Sequence, residues 1–164
     1  FDCLQPEYNL LVRSTEWELL PLCREQGIGV ICWSPLAGGW LTGKYRRGQP
    51  PPPESRVGRG DRWDDLPEQR ESETTWRVVD ALLEISQERG KTPAQVALNW
   101  LLQKPGVTAP IFGARTLEQL EQNLGCTGWA LSPEEMEKLD AASAIPLPSP
   151  YNFIARYTRR RDTA

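Results

Sequence analysis

Histidine is absent from the 164 residues. A chain without imidazole offers no histidine general base, no histidine-ligated metal and no Ser-His or Cys-His nucleophile pair. Any chemistry it carries must use carboxylates, tyrosine, lysine or a bound cofactor. Cysteine is sparse and patternless: Cys3, Cys23, Cys32 and Cys126 form no CxxC spacing and sit mostly in apolar runs. That favours reduced, buried thiols over a disulfide framework and implies a reducing, cytoplasmic setting. No apolar run reaches the ~18 residues that a membrane span needs, and no cleavable leader is recognisable, so no membrane partner is expected. A formal net charge of −3 argues against a nucleic-acid partner. What remains is a soluble-type composition with enough length for one domain and a sizeable core. The first residue, Phe1, already lies in a strand-like segment, so the chain reads as a piece of something longer.

The apolar periodicity alternates between strand and helix. Phe1 to Leu11 reads as a strand ending in a loop at Pro6. Thr15 and Glu18 have capping-box spacing before a helix from Glu16 to Gln26, which Gly27 closes. Ile28 to Trp33 is a continuous apolar run, as in a strand buried on both faces of a parallel sheet. Residues 34–72 then change character, with paired glycines at 38 and 39, four prolines at 50 to 53 and alternating Arg, Gly and Asp. This predicts a long lid-like loop, with a short helix near Trp40. Glu73 to Arg89 is an amphipathic helix ending at Gly90. Thr92, Pro93 and Gln95 cap a second one, Ala94 to Gln103. A strand over Val107 to Phe112 follows despite Pro110. Thr116 with Gln119 opens a helix to about Asn123, and Ser132, Pro133 and Glu135 open the last, ending near Ala142. Residues 145–164 form a proline-rich, then basic, tail.

Two loops that follow strands carry candidate chemistry, since open α/β sheets and (β/α)8 barrels collect ligands there. The first is Cys32-Trp-Ser-Pro-Leu-Ala-Gly-Gly39, continued by Leu41-Thr-Gly-Lys-Tyr45. Trp33 can stack on a flat heterocycle, Ser34 can donate to phosphate, small residues at 37 to 39 allow close approach to backbone amides, and Lys44 adds a positive charge. Taken alone, it reads equally as a core tryptophan followed by a glycine turn. The second is Gly113-Ala-Arg-Thr-Leu-Glu-Gln119 with Asn123. Amides at the helix N-terminus beginning at Thr116 favour an anion, Arg115 is placed to clamp a phosphate, and Gln119 and Asn123 share a helix face. Taken alone, it reads as a solvated arginine on a polar helix face.

Four blocks, QPEYNLL, GIGVICWSPLAGGWLTGKYRRG, TPAQVALNWLL and IFGARTLEQLEQNLG, stand in this order and spacing. Together they resemble the C-terminal half of an aldo-keto reductase, over about residues 1–144. The resemblance implies an α/β fold, namely a partial (β/α)8 TIM barrel supplying about the last three strands with their helices. It also implies an NADP(H)-dependent oxidoreductase that reduces aldehydes or ketones, with a small carbonyl compound as substrate. Carried over position by position, Gln5 would hold the nicotinamide carboxamide and Trp33 would stack on its ring. Ser34, Pro35, Leu36, Ala37 and Gly38 would line the pyrophosphate, with Lys44 and Arg56 closing over it. Gly113, Arg115 and Gln119 would meet the adenosine 2′-phosphate, and Gln122 and Asn123 would face the adenine.

The family's catalytic tyrosine, lysine, aspartate and histidine belong to the barrel's first half, so no catalytic residue is assigned here. Tyr8, Tyr45, Tyr151 and Tyr157 match none of the catalytic position. Phe112 and the four prolines depart from the family pattern. Three parallel strands with helices on one side leave sheet edges and an inner face uncovered, which predicts marginal isolated stability or completion by another polypeptide. The alternative reading is a non-catalytic truncated isoform or a nicotinamide-sensing regulatory subunit. A phosphate-binding barrel lyase or isomerase would explain Gly113 and Arg115 but leaves Trp33, Gln119 and Asn123 without a role.

Overall fold

The computed structural model describes residues 1–60, 71–154 and 157. Part of the expected lid, 61–70, and the basic residues Arg159 to Arg161 of the tail lie outside the described residues. Among the described residues three strands, β1 (Cys3–Leu4), β2 (Gly29–Cys32) and β3 (Val107–Pro110), form one parallel sheet in sequence order. Cys3 pairs with Gly29, Val30 with Val107, and Cys32 with Pro110. The register slips between Val30 and Ile31. There the Thr108 hydroxyl accepts the Val30 N–H at 3.1 Å, so a side chain replaces a ladder carbonyl. Pro110 has no N–H to donate, and the ladder is extended instead by Ile111, whose N–H reaches the Cys32 carbonyl at 2.7 Å.

Helices α1 (Leu19–Gln26), α2 (Arg56–Arg59), α3 (Glu73–Arg89), α4 (Pro93–Gln103), α5 (Leu117–Leu124) and α6 (Pro133–Ala142) connect and flank the strands. Where sequence caps are complete, their ends follow them. Thr92 and Gln95 exchange both capping-box bonds at the start of α4, as do Ser132 and Glu135 at the start of α6. Ser72 caps α3, and Gly90 ends it in the left-handed conformation.

The predicted helix from Glu16 is shorter and starts later. Residues Ser14–Glu16 form a 3-10 turn, and α1 begins after Glu18, which makes no side-chain cap bond. Tertiary partners displace the Thr15–Glu18 box: the Thr15 hydroxyl donates to the Glu7 carbonyl at 2.8 Å, while Glu16 is drawn into an ion-pair network. In that network Arg13 and Lys104 meet Glu16 and Asp140 around the Trp100 ring.

β2 is not buried on both faces. Val30 and Cys32 are fully buried against the helices, whereas Gly29 and Ile31, on the opposite face, are half-exposed. The core fills only the helix side of the sheet, with Trp100, Tyr8, Leu82, Ile85, Leu98 and Leu101 among its fully buried side chains. The expected lid is also more structured than its composition suggests. Residues Ala37–Thr42 form a 3-10 turn, and Trp40, Leu41 and Tyr45 are buried core members. Trp40 stacks on Tyr45 with centroids 4.6 Å apart and meets Trp76 of α3 edge-on at 5.8 Å. Burying three such side chains contributes several times ~2 kcal/mol, which holds the start of this segment to the body.

Apolar side chains remain uncovered where the sheet ends. Leu117, Leu120 and Leu124 form an exposed stripe along α5, with Leu117 69% and Leu124 54% accessible, and Leu19 and Leu22 are exposed on α1.

Candidate functional site

Backbone bonds gather the segments that follow the three strands at one end of the sheet. The Trp33 N–H donates to the Pro6 carbonyl at 3.0 Å, so Glu7 bridges to Trp33 and the exposed Gln5 lies just before it on the same segment. The Ile111 bond to Cys32 brings in the segment leading to Gly113 and Arg115. Trp33, directly after β2, is 45% exposed, so its ring is available for stacking. The ring therefore does not fill the core.

The loop after Trp33 has an unusual backbone. Ser34 and Ala37 both have positive φ, 53° and 48°, without being glycine. Conformations of this kind cost on the order of 1–3 kcal/mol and persist only where the surroundings impose them. Here the restraint is Asn9, a fully buried side chain that the sequence reasoning missed. Its amide donates to the Ser34 carbonyl at 2.9 Å, and its Oδ1 accepts from the N–H groups of Leu11 and Val12 at 2.8 and 3.0 Å. A buried asparagine joining two loops has no local sequence signature.

Pro35 and Ala37 are buried beneath the turn, and Ser34, Leu36 and Gly38 form its partly exposed surface. The N–H groups of Ala37 and Gly39 donate to the carbonyls of Ser34 and Leu36, both at 2.9 Å. Those two amides are therefore spent within the turn. What the loop offers an anion is charge. Gly39 has φ 101°, and a Cβ there would meet the Lys44 Nζ at 2.5 Å, so the ammonium lies directly over the glycine. The same ammonium sits 5.2 Å from the Tyr45 ring centroid.

Lys44 has its pKa lowered, first by desolvation of its ammonium against the turn and then by the positive charges of Arg115, Arg56 and Arg59; Glu54 opposes them. Three guanidiniums from two separate loops thus act on one ammonium. Ser55, buried, caps α2 by accepting the Gly58 N–H at 3.0 Å, and this short helix carries the exposed Arg56 and Arg59. Arg59 was not anticipated; its spacing three residues after Arg56 on a four-residue helix was the available signal. Positive charge gathered in this way favours the approach of a polyanion.

On the opposite side, Thr116 caps α5 and accepts the Gln119 N–H at 3.2 Å. Gln119 does not complete the expected box. Its Oε1 accepts the N–H of Arg115 at 2.9 Å, so it fixes the backbone that carries Arg115. Asn123 is buried on the same face, whereas Gln122 is exposed and donates to Glu118 at 3.3 Å. Gly113 is exposed with open space around it.

None of the described tyrosines forms a proton relay. The Tyr8 hydroxyl is buried and donates to Glu16; burial, that hydrogen bond and the Glu16 charge push its pKa far above the ordinary range. Tyr151 stacks on Trp17 at 5.4 Å. Burial pushes the Cys32 thiol up to about 11, which makes it an inert packing group. Among the described residues no cluster of acidic, histidine or cysteine side chains could hold a metal, and no helix is long and apolar enough to cross a membrane.

Parallel strands in sequence order, helices on one side and ligand-type groups collected after the strand ends define an α/β protein of the barrel or open-sheet class. The sequence model of the Aldo/keto reductase family matches residues 1–144, and the chain belongs to that family, whose fold is a (β/α)8 barrel. It is 39% identical over 139 residues to an L-glyceraldehyde 3-phosphate reductase of Escherichia coli O157:H7, covering 83% of this chain and 40% of the relative. It is 37% identical over 137 residues to the uncharacterized oxidoreductase YrpG of Bacillus subtilis (strain 168), covering 83% and 38%. It is 38% identical over 140 residues to a probable voltage-gated potassium channel subunit beta of Oryza sativa subsp. japonica, covering 84% and 42%. The chain spans about two fifths of the length of these relatives.

Proposed function

We propose that this chain is the cofactor-binding portion of an NADP(H)-dependent reductase of aldehydes or ketones, contributing the last three strands of the barrel and their helices. One observation carries the reading: the charges of Arg56, Arg59 and Arg115 all bear on the Lys44 ammonium, in the loops that follow the strands, the first of which begins at the exposed Trp33. A nicotinamide dinucleotide phosphate has the matching form, with a flat ring at one end and phosphate groups farther along. When bound, that cofactor supplies the hydride for the carbonyl carbon. The chain's own residues bind and orient. Gln5 and Trp33 hold the nicotinamide; Ser34 to Gly38 with Lys44 and Arg56 hold the pyrophosphate; Gly113, Arg115, Gln119, Gln122 and Asn123 hold the adenosine and its 2′-phosphate. The general acid comes from the remainder of the barrel, which also covers the leucine stripes of α1 and α5, whether it lies on the same or another polypeptide. Residues 1–144 form this barrel portion and 145–164 a tail, in a cytoplasmic protein.

The test is a titration with NADPH and with NADH, followed by tryptophan fluorescence, on the chain and on Arg115→Ala and Trp33→Phe. The expected result is saturable quenching that is stronger for NADPH and lost in Trp33→Phe. Arg115→Ala should weaken NADPH binding about tenfold or more while changing NADH little, as removal of a charge-assisted phosphate bond requires. Equal losses for both nucleotides would show that Arg115 does not meet the 2′-phosphate.

A second reading, a nicotinamide-sensing subunit without turnover, is favoured by the relatives named as potassium channel subunits. Carbonyl turnover by the completed barrel separates the two.

A further inference from the structure

The Tyr45 hydroxyl has no role in the site as described so far. Tyr45 is a core residue, 4% exposed, stacked on Trp40, and its hydroxyl is buried without a hydrogen-bond partner. A buried hydroxyl with no partner costs roughly 1–3 kcal/mol relative to one that is paired, and phenylalanine would fill the same place without that cost. Such an orphan group calls for a specific explanation.

Its surroundings supply one. The hydroxyl lies 3.9 Å from where a Cβ on Gly39 would stand, and the Lys44 ammonium lies 2.5 Å from that same point. Two donors therefore converge above one glycine, whose missing side chain leaves room for the flexible end of Lys44. Gly39 has φ 101°, so the backbone there is itself adapted to an absent side chain. The ammonium also rests over the Tyr45 ring, and the charges of Arg56, Arg59 and Arg115 bear on it. Donors without an acceptor, in a field of this sign, match an oxyanion.

We propose that Tyr45 is an anion-binding residue: its hydroxyl and the Lys44 ammonium together donate to one phosphate oxygen seated over Gly39. The proposal rests on the reading of this loop as the pyrophosphate subsite and adds a neutral donor to it. Binding draws the flexible lysine off the ring, and the tyrosine, fixed by Trp40, then meets the oxygen without losing side-chain freedom. The orphan hydroxyl thus destabilises the empty protein slightly and gains its partner from the ligand.

The test compares the 164-residue chain with Tyr45→Phe and Lys44→Met, titrating inorganic pyrophosphate and NADPH by calorimetry and measuring the thermal midpoint without ligand. The two readouts should move in opposite directions for Tyr45→Phe. Its ligand-free midpoint should be equal to or above that of the unmodified chain, while pyrophosphate and NADPH bind about tenfold more weakly. A packing role alone would lower the midpoint and leave affinity unchanged. Unaltered affinity in Tyr45→Phe, with binding weakened in Lys44→Met, overturns the proposal and keeps the subsite. Unaltered affinity in both variants, or no saturable binding by the unmodified chain, overturns the subsite reading and the proposal with it.

Discussion

Asn9 is the side chain whose removal most directly tests how the fold shapes the site. It is fully buried and makes three hydrogen bonds, one donated to Ser34 and two accepted from Leu11 and Val12. Each such bond is worth about 1 kcal/mol net, and a buried group left unpaired costs more. The Val12 N–H keeps a second acceptor, the Asn9 carbonyl at 3.1 Å. The Ser34 carbonyl likewise keeps the Ala37 N–H at 2.9 Å, so Asn9→Ala strands chiefly the Leu11 N–H, for an expected loss of about 2 kcal/mol. That is a large part of a marginal domain's stability. Asn9→Asp divides the effect. A carboxylate still accepts from both amides but cannot donate to Ser34 and faces its carbonyl, so Ser34 loses the restraint on its positive φ. Urea unfolding followed by circular dichroism measures the stability, and NADPH titration of the folded fraction measures the loop. Asn9→Asp should weaken NADPH binding more than its stability loss explains. If Asn9→Ala costs under 1 kcal/mol, or Asn9→Asp binds NADPH normally, the restraint on Ser34 does not come from Asn9.

Glu16 makes stability depend on pH in acid. Burial pushes its carboxyl up, but hydrogen bonds from Arg13 and Tyr8 and the Arg13 and Lys104 charges outweigh this and hold it below the ordinary carboxylate range. A depressed folded-state pKa contributes stability that is present above the unfolded value of about 4.3 and lost as pH falls through the folded value. Glu16→Gln should flatten the stability profile below about pH 4.5, and an unchanged acid limb would contradict this assignment. The α5 stripe should bind a hydrophobic dye, and Leu117→Lys with Leu124→Lys should remove most of that signal without altering far-ultraviolet circular dichroism. Dye binding that persists would place the uncovered surface elsewhere.

Legibility in the sequence followed the range of the interactions. Helices α4 and α6 were readable nearly to the residue because Thr92 with Gln95, and Ser132 with Glu135, are local caps that act within one turn, and α3 because its amphipathic run ends at Gly90. The same spacing at Thr15 and Glu18 failed. Its members are claimed by partners eight residues away at Glu7, in the case of Thr15, and by no cap bond at all in the case of Glu18. Exposure of Trp33 was legible only as one of two alternatives, since burial depends on what lies across the open sheet face. Ile28 to Trp33 looked doubly buried because apolar runs record the environment of a completed sheet, whereas here only the helix side is filled. Asn9, Arg59 and the Tyr45 hydroxyl carry no motif; each acquires meaning from neighbours that only the folded chain supplies.

These features separate the parts of the site by what fixes them. The nicotinamide end depends on residues at strand ends, Gln5 and Trp33, whose outer surroundings are open. The phosphate end is built within the chain: Trp40 and Tyr45 anchor the first loop in the core, Ser55 caps the short helix bearing Arg56 and Arg59, and Gln119 fixes the backbone at Arg115. Preorganised charge keeps its value when other walls of a pocket are missing, whereas a ring stacked on one open face gains only part of its burial. Phosphate recognition should therefore survive in the chain alone. Pyrophosphate should retain most of its affinity for the phosphate end relative to the completed barrel, while nicotinamide mononucleotide should bind measurably only after completion. The reverse order would mean that the cation cluster is held in place by the rest of the barrel and not by the core contacts described above.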